Sequence, residues 1–553
     1  MRAFPASRLL QFIDQEATYP RTRLLIFAVV AGLANGLLLA VINHGAGLIN
    51  EFAESGEIQI YWLAVYVVIL AIFVYTKKYT LDQAAMLVEE VLCRVRVRIT
   101  DKIRHAELQF IEQTGHSSIY NCLAQDTVQI SQSANVVFAS MEAGIMLLFA
   151  IAYIAWLTPG GFIVTIVAII LGAWVFEMRR KGIIRDLDLA SRQEVFFFES
   201  LNHTLAGFKE VKLNRAKSHD LYMHQGRIAT EVQDLKSRAG VSSVFVMMFS
   251  QIFFYVLIAV VLFVWPYFEQ PAPATVIKLT ASILFIIGPL ELLVGSLPLF
   301  LKADGAVNNL RELEARLDSG TKGQHVGEPP VHPVLDFKGL AFKDVNFEYK
   351  DAEGTPQFKV GPLDFELRAG EILFIVGGNG SGKSTLLKLL TGLYYPDSGT
   401  IAANDEIIDQ YTYPDYREIF SIIFTDFHLF DRFYGIKDVD GGKVRALIKR
   451  MGLANKTEYR DGAFSNINLS TGQRKRLAYI IALLDDRQVY VFDEWAADQD
   501  PEFRKHFYEV MLPELRAEGK TIVAVTHDDK YFHAADRMLR MEEGRLIVED
   551  AAR

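Results

Sequence analysis

The stretch "EILFIVGGNGSGKSTLLKLLTGL", residues 371–393, runs from an apolar segment through a glycine-rich turn into an amphipathic segment. Ile372–Val376 predicts a buried strand, and the residues after the turn predict a helix. The pattern G-x-x-x-x-G-K-S is met by Gly377, Gly382, Lys383 and Ser384. Such glycines let backbone N–H groups surround phosphates, the lysine neutralises the outer phosphates, and the serine hydroxyl suits Mg²⁺. The stretch therefore predicts an α/β P-loop ATPase domain.

The other residues of this turn that we expect to touch the nucleotide are Asn379, Gly380, Ser381 and Thr385. Two later apolar runs end in polar side chains: "VYVF" is followed by Asp493 and Glu494, and "TIVAVT" is followed by His527. The sites of α/β proteins lie at the carboxyl ends of parallel strands. Asp493 is predicted to hold Mg²⁺, Glu494 to act as general base on water, and His527 to bind a γ-phosphate. A surface turn with two acids, or a structural histidine, is the plainer alternative for each motif alone.

The first half of the chain is much more apolar than the second, in a sequence of 553 residues with 51% hydrophobic residues and a mean hydropathy of +0.18. A helix needs about 20 apolar residues to cross a bilayer. Six segments approach that length: Leu24–Ile42, Ile60–Thr76, Val136–Leu157, Phe162–Phe176, Val241–Trp265 and Val276–Leu301. The polar start, residues 1–23, predicts an amphipathic interfacial helix rather than a cleavable signal.

Lysine and arginine in the connections orient the six predicted spans. His44–Gln59 and Pro266–Thr275 carry none, whereas the connections between spans two and three and between spans four and five are rich in both. Both ends of the membrane half and the ATPase domain are therefore predicted to be cytoplasmic. The two basic connections have few breakers and predict long helical hairpins. Cys93 and Cys122 fall within these cytoplasmic connections, which argues against a disulfide.

The fold class predicted from these patterns is an all-α transmembrane domain of six helices followed by an α/β P-loop ATPase domain. We place the first domain at residues 1–320, a Gly/Pro linker at 321–335, and the nucleotide-binding domain at 336–553. The net charge of −9 argues against a nucleic-acid partner, because such binders usually carry a basic surface.

The chain resembles the ATP-binding cassette (ABC) family in the order of four motifs. These are the P-loop, "LSTGQ" at Leu469–Gln473, the adjacent strand-end acids and the strand-end histidine. The resemblance implies that Lys383, Glu494 and His527 act in ATP hydrolysis. It also implies that ATP held by the opposite cassette is contacted by Ser470, Gly472 and Gln473. One cassette with six spans is half of the usual complement, so the resemblance implies a homodimer with two shared ATP sites. Tyr349 matches the aromatic residue that stacks on adenine, and Asp500 matches the acid of the loop after the catalytic glutamate.

Nearly the whole chain resembles exporter-type (type IV) half-transporters. The cassette, with Trp495 and the Asp-Gln-Asp-Pro pattern at Asp498–Pro501, resembles the narrower branch that exports cyclic peptides and siderophore precursors. This implies an ATP-driven exporter of a peptide or peptide-derived product, such as a cyclic peptide or lipopeptide, in the lipid of a bacterial inner membrane. An importer of a siderophore or other small cargo, and a lipid or drug exporter, are the alternatives. The spans exclude a soluble cassette ATPase.

Two segments, Thr114–Ile130 and Leu205–Asn214, resemble the turns of intracellular helices that dock on cassettes, although ordinary helical turns are the alternative. The chain departs from the family pattern in the segment Tyr459–Asn468, which lacks the usual Glu-Arg-Gly element, and at two single positions. Thr471 replaces the first glycine of the signature, and Thr425, followed by Asp426, replaces the usual glutamine. How this loop senses the γ-phosphate is therefore open.

Candidate cargo-binding residues are the ionisable side chains within the spans, where charge is costly. Glu142, Lys278 and Glu291 form this set, with Asn35 and His44 as weaker candidates. Lys278 is close to an external end, where a lysine can simply reach the interface. Glu291 lies between two prolines, in a setting that fits a substrate chamber, a hinge or a structural carboxyl. Acids among many phenylalanines predict an amphipathic cargo with a cationic or hydrogen-bond-donating part.

Overall fold

The computed structural model describes residues 8–16, 21–47, 60–269, 271–320, 336–350, 355–436 and 438–549. The chain divides into two compact units, residues 1–100 with 117–314 and residues 101–116 with 315–553. Residues 101–116 and 315–320, on the membrane side of the boundary drawn from the sequence, pack with the second unit. The predicted linker, 321–335, lies outside the described residues.

Among the described residues, six helices are long and apolar enough to cross a membrane, as predicted. They span Thr22–Gly45, Ile60–His105, Ile119–Leu157, Pro159–Ala206, Arg215–Glu269 and Pro273–Ser319. Most are longer than the predicted spans because each continues into a polar stretch with no breaker. Two of them contain a π-helical turn, at Cys122–Asp126 and at Val260–Val264. The predicted helical hairpins are the polar continuations of these same helices.

The turn of the second predicted docking segment lies where the sequence indicated it. The helix Pro159–Ala206 ends there, the short helix Phe208–Leu213 follows, and the side chain of Asn214 caps the next helix by accepting from the backbone N–H of Lys217 at 3.0 Å. The first predicted segment, Thr114–Ile130, was placed too far along the chain. The turn instead contains the helix Leu108–Thr114, which Gly115 ends with a left-handed φ of 78°. The polar residues after this glycine already begin the returning helix.

The first unit is held together by an apolar core and by ion pairs between its helices. Ile154, Phe254 and Leu279 belong to one buried cluster shared by four of the long helices. The N-terminal helix Arg8–Glu16 buries Leu9, Phe12 and Ile13 within the protein. Arg98 clamps this helix by pairing with Glu16 at 2.8 Å and with Glu314 at 2.7 Å. Chiefly through its hydrogen bond to Arg98, the pKa of Glu16 is lowered.

The second unit is an α/β domain with two larger sheets. Strands β1 (Gly339–Lys350), β2 (Pro356–Arg368), β4 (Ser398–Ala403) and β5 (Glu406–Ile407) form an antiparallel sheet in the order β2-β1-β4-β5. The other sheet contains β3 (Ile372–Gly377), β6 (Phe420–Ile423), β9 (Val489–Asp493), β10 (Thr521–Val525), β11 (Arg537–Glu542) and β12 (Arg545–Glu549). Its strand order is β12-β11-β3-β10-β9-β6. Strands β7 (Tyr459–Arg460) and β8 (Ala463–Phe464) form a small hairpin.

Strands β9 and β10 are buried at every residue, because apolar clusters cover both faces of the mainly parallel sheet. Their register brings Asp493 beside Val525, and Val525 in turn pairs with Ile375 of β3. The carboxyl ends of three central strands therefore meet at one edge. This topology decides where the polar side chains of the site can converge.

Candidate functional site

The P-loop turn leaves β3 at Gly377 and enters the helix Lys383–Leu390, named here the P-loop helix. Gly377 has a φ of 151°, and a Cβ atom there would lie 2.3 Å from the carbonyl oxygen of Met541, so no other residue fits. At Gly380, by contrast, φ is 76° and an added Cβ would meet nothing within 4 Å. The turn is therefore closed against the sheet at Gly377 and open at Gly380.

Two polar side chains of this turn, Ser381 and Lys383, are buried. Lys383 donates from Nζ to the carbonyl oxygens of Gly377 and Gly378, at 2.9 Å each. Burial lowers the pKa of Lys383, while Glu494 and Asp493 act in the opposite direction. The Oγ atom of Ser381 is buried and has no hydrogen-bond partner. A buried hydroxyl of this kind indicates a ligand that would satisfy it.

The remaining predicted P-loop residues differ in their surroundings. Asn379 and Ser384 are exposed, whereas Thr385 is buried. Thr385 Oγ1 lies 3.3 Å from the hydroxyl of Tyr349, the predicted adenine-stacking residue. The Tyr349 ring packs edge-on against Phe347 and Tyr394, with centroids 5.1 and 6.0 Å away. An aromatic cluster therefore borders the P-loop helix.

The strand-end acids lie together with residues from two neighbouring strands. Asp493 is 4% exposed, and burial raises the pKa of its carboxyl. Thr425, after β6, donates its backbone N–H to Asp493 Oδ2 at 3.4 Å and its hydroxyl to the Asp493 carbonyl at 3.3 Å. Thr425 stands where the family has a glutamine, and no local pattern in the sequence indicates its contact with the neighbouring acid. Asp426, the next residue, is exposed.

Glu494 begins a turn in the left-handed region, with φ 47° and ψ 36°. This conformation costs a residue with a side chain about 1–2 kcal/mol, so surrounding contacts must hold it. Its backbone N–H donates to the carbonyl of Val525 at 3.2 Å, and its Oε1 lies 3.0 Å from Nε2 of His527. The two predicted catalytic side chains are therefore in direct contact, and the sequence could not show this.

The predicted signature residues lie at the start of the helix Thr471–Asp485, named here the signature helix. Ser470 is its N-cap, and the backbone N–H of Ser470 donates to Gln473 Oε1 at 3.4 Å. Ser470 and Thr471 face solvent. Gly472 has a packing role as well, because a Cβ atom there would lie 2.4 Å from the carbonyl oxygen of Asp498. The helix start thus packs on the turn after Glu494 and leaves its N-terminal end exposed.

Within the second unit, the intracellular helix Leu108–Thr114 contacts the P-loop helix. Glu112 pairs with Lys388 at 2.8 Å and accepts a hydrogen bond from the hydroxyl of Tyr394. Tyr394 also stacks on Phe347 with ring centroids 4.9 Å apart. A single carboxylate therefore joins this intracellular helix to the P-loop helix and to the aromatic cluster.

The structure shows contacts within the protein at most of the predicted cargo residues of the first unit. Glu142 is paired with Lys77 at 3.2 Å, and the carbonyl of Lys278 accepts a hydrogen bond from Asn43. The Asn35 amide contacts the sulfur of Met146 at 3.0 Å, and the His44 ring packs on Trp62. Glu291 lines a cavity of about 250 Å³ among apolar side chains.

Comparison with known proteins agrees with this geometry. The family model described as ABC transporter matches residues 360–497. Over 546 residues the chain is 29% identical to ATP-binding protein SyrD of Pseudomonas syringae pv. syringae, with 95% of this chain and 94% of that protein covered. It is 34% identical over 223 residues to the energy-coupling factor transporter ATP-binding protein EcfA1 of Mycoplasma genitalium, with 38% of this chain and 77% of that protein covered.

The fold is similar to a solved structure of a bacterial Atm1-family ABC exporter with ATP bound. The TM-score is 0.76 at 19% identity, and 95% of each chain is covered. The match spans both the helical part and the α/β domain. The chain therefore belongs to the ABC transporter family, as an exporter-fold half-transporter with six apolar helices and a cytoplasmic cassette that binds ATP and couples its hydrolysis to transport.

Proposed function

We propose that two copies of this chain form an exporter of a peptide or peptide-derived natural product in a bacterial inner membrane. The observation that carries the proposal is the assembled site of P-loop, Asp493, Glu494 and His527 on a chain with six apolar helices. The cassette sequence, with Trp495 and the Asp-Gln-Asp-Pro pattern, favours a peptide-derived cargo.

The P-loop fits a chain of phosphates. Ser381 offers an unsatisfied buried hydroxyl, and Gly378 and Gly380 leave their backbone open to a ligand. Lys383 brings a positive charge to the same turn and would transfer its hydrogen bonds from two carbonyls to phosphate oxygens. Tyr349 would stack on the adenine from the neighbouring aromatic cluster.

Mg²⁺ fits the donors beside this turn. The Ser384 hydroxyl and the Asp493 carboxylate are oxygen ligands of the kind Mg²⁺ prefers. The described residues contain no group of three or more His, Cys, Asp or Glu side chains that could hold a metal. Mg²⁺ typically takes one or two protein oxygens and completes its shell with phosphate and water. When bound, Mg²⁺ neutralises charge on the phosphates.

Glu494 is the general base in this proposal, and His527 orients it. The Glu494 carboxylate is partly exposed, so it can reach a water molecule, while its contact with His527 at 3.0 Å fixes its direction. Thr425 donates its backbone N–H to one carboxylate oxygen of the neighbouring Asp493 and its hydroxyl to the Asp493 carbonyl. This division leaves Asp493 for the metal and Glu494 for the proton.

The homodimer follows from the exposed start of the signature helix. The Ser470 side chain caps the N–H of Gln473, and the exposed helix start, with the helix dipole, favours an anion. This helix start faces solvent and would meet ATP held by the second copy. Each of two sites would then take its P-loop from one chain and its signature from the other.

Cargo recognition is assigned to the cavity that contains Glu291. Its walls come from the helices Pro159–Ala206, Arg215–Ala259 and Pro273–Ser319, and most of its lining is apolar. Glu291 accepts a hydrogen bond from Gln251 Nε2 at 2.7 Å, and Arg180 lines the same cavity. A carboxylate and a guanidinium in an apolar wall suit a molecule that presents both donors and acceptors beside apolar bulk. A peptide with apolar side chains or an acyl chain has this character.

Reconstitution in liposomes tests the proposal. Wild-type protein should move a fluorescent amphipathic peptide across the membrane, from the cassette side to the opposite side, only with ATP and Mg²⁺. The substitution Glu291→Gln should weaken the binding of cationic peptides by about 1–3 kcal/mol, because one charged hydrogen bond is lost. The measurement is the peptide concentration that gives half-maximal stimulation of the ATPase. Basal hydrolysis should be unchanged.

The matched control is Glu312→Gln, because Glu312 is an exposed acid on the same long helix. Movement toward the cassette side would identify an importer instead. Stimulation by a lipid or a metal-loaded siderophore, with none by peptides, would reject the peptide cargo and leave the ATP-driven transporter intact.

The contact of Glu112 with Lys388 and Tyr394 leads to a second prediction. We expect Glu112→Ala to reduce peptide-stimulated hydrolysis more than basal hydrolysis, because it cuts the link between the intracellular helix and the P-loop helix. Gln113→Ala, which changes the exposed neighbour, should leave both rates unchanged. Equal loss of both rates in Glu112→Ala would show that the carboxylate only supports the cassette.

A further inference from the structure

Lys475 is a fully buried lysine in the signature helix, with 0% of its surface exposed. Its ammonium donates to the backbone carbonyl of Glu494 at 2.7 Å and pairs with Asp498 Oδ2 at 2.8 Å. A buried ammonium is costly unless such partners satisfy it. The sequence analysis gave this residue no role, although "RKR" in the helix and "ADQD" in the turn carry complementary charges.

The carbonyl that Lys475 holds belongs to the left-handed residue Glu494. The same carbonyl also accepts from the backbone N–H of Ala497 at 3.3 Å, within the turn. Because φ and ψ of Glu494 decide where its side chain points, a contact that fixes this carbonyl also fixes the carboxylate toward His527. Loss of the ammonium would let the turn relax toward an ordinary conformation.

Further hydrogen bonds join the turn that follows Glu494 to the signature helix. The Gln499 amide donates to the Gly472 carbonyl at 3.1 Å, and the Trp495 indole donates to the Lys475 carbonyl at 3.0 Å. The close approach at Gly472 brings the first helical turn against Asp498. A shift of the helix start would therefore be transmitted to the residues that follow Glu494.

We propose that Lys475 is a positioning residue that ties the orientation of Glu494 to the signature helix. This inference rests on the proposed function, in which the helix start meets the ATP of the second copy and Glu494 serves the ATP of its own chain. Lys475 would then link the two ATP sites of the dimer. Engagement of the signature at one site would hold the base correctly at the other.

Lys475→Met in the full-length protein is the test, since methionine keeps the length and the apolar stem. We expect ATP affinity, measured by equilibrium binding to the purified protein, to be unchanged, and kcat to fall by about tenfold or more because the base is misplaced. In the Glu494→Gln background the same substitution should cause no further loss, since Lys475 acts through Glu494. A residue that merely supports the fold would lower turnover in both backgrounds.

Lys520→Met is the matched control. Lys520 Nζ pairs with Asp486 Oδ1 at 2.7 Å, at the far end of the same helix, and Asp486 is also left-handed. The Lys520→Met variant should keep wild-type turnover. An unchanged kcat in Lys475→Met, or an additional loss in the Glu494→Gln background, overturns the inference.

The two proposals can fail separately. Near-normal turnover of Glu494→Gln alone would reject Glu494 as base, whereas the comparison between backgrounds tests the link to Lys475. Should Lys475→Met fail to fold, Asp498→Ala tests the same link, because it removes the carboxylate that holds the ammonium. A smaller fall in kcat that disappears in the Glu494→Gln background supports the inference, and an equal fall in both backgrounds overturns it.

Discussion

Glu494→Gln should retain ATP binding and lose turnover by about 10²–10⁴-fold, because an amide cannot accept the proton of the attacking water. The side chain keeps its length and an oxygen that can face His527, so the contact at 3.0 Å need not be lost. Lys383 and Asp493 are untouched, and the nucleotide should remain bound. Steady-state ATPase assays with equilibrium nucleotide binding on the same preparation measure the two effects separately.

The exposed acid Glu502 supplies the control for this prediction. Glu502→Gln removes one charge from the segment that follows the turn and should leave hydrolysis at the wild-type rate. Because the substituted Glu494 site binds ATP without consuming it, the paired cassettes should accumulate in a closed dimer, detectable by cross-linking. Near-normal ATPase activity of Glu494→Gln would remove Glu494 from the role of base.

Mixed dimers of two inactive chains should regain ATPase activity if the two sites are shared. Lys383→Ala removes the phosphate-binding lysine of one chain, and Ser470→Arg blocks the signature of the other. Each homodimer then has no complete site. A mixed dimer has one site with both defects and one site with neither, so co-expression and purification through two different tags should restore hydrolysis.

Ser470 is also a helix N-cap, so the fold of the Ser470→Arg chain needs its own control. Asp440 caps the helix Gly441–Arg450 by accepting from the Gly442 N–H at 2.7 Å, and Asp440→Arg imposes a similar cap loss elsewhere in the cassette. Loss of a cap costs about 0.5–2 kcal/mol and should shift melting without abolishing hydrolysis. Should mixed dimers stay inactive while the Ser470→Arg chain melts no lower than the Asp440→Arg chain, the shared site would lose its support.

The sequence alone determined the features that short patterns encode. The P-loop is read directly, since a strand, glycines and a lysine within one turn leave few alternatives. The six apolar helices follow from length and composition, because the bilayer imposes both. The acids at the end of β9 follow from an apolar run that stops at Asp493. In each case the determining residues are neighbours in the chain.

Sequence reasoning was less successful where a charge needed a partner. Glu142 pairs with Lys77, 65 residues away, and the sequence did not indicate this partner. Thr425 lacks the amide of the glutamine usual at this position, yet its hydroxyl contacts Asp493, 68 residues away in the chain. The first docking turn was misplaced because polar residues after Gly115 were taken as a turn, although they begin a helix.

Only the tertiary structure decided which remote partners the charged side chains of the second unit contact. Glu112 reaches Lys388 across 276 residues, and Lys475 reaches the carbonyl of Glu494 from a helix packed on the turn. A local pattern fixes which residues lie on a strand end or a helix face. It cannot fix which of the many remote groups fills a buried contact, because that depends on how whole elements pack, and a buried charge is tolerated only where this packing supplies its partner.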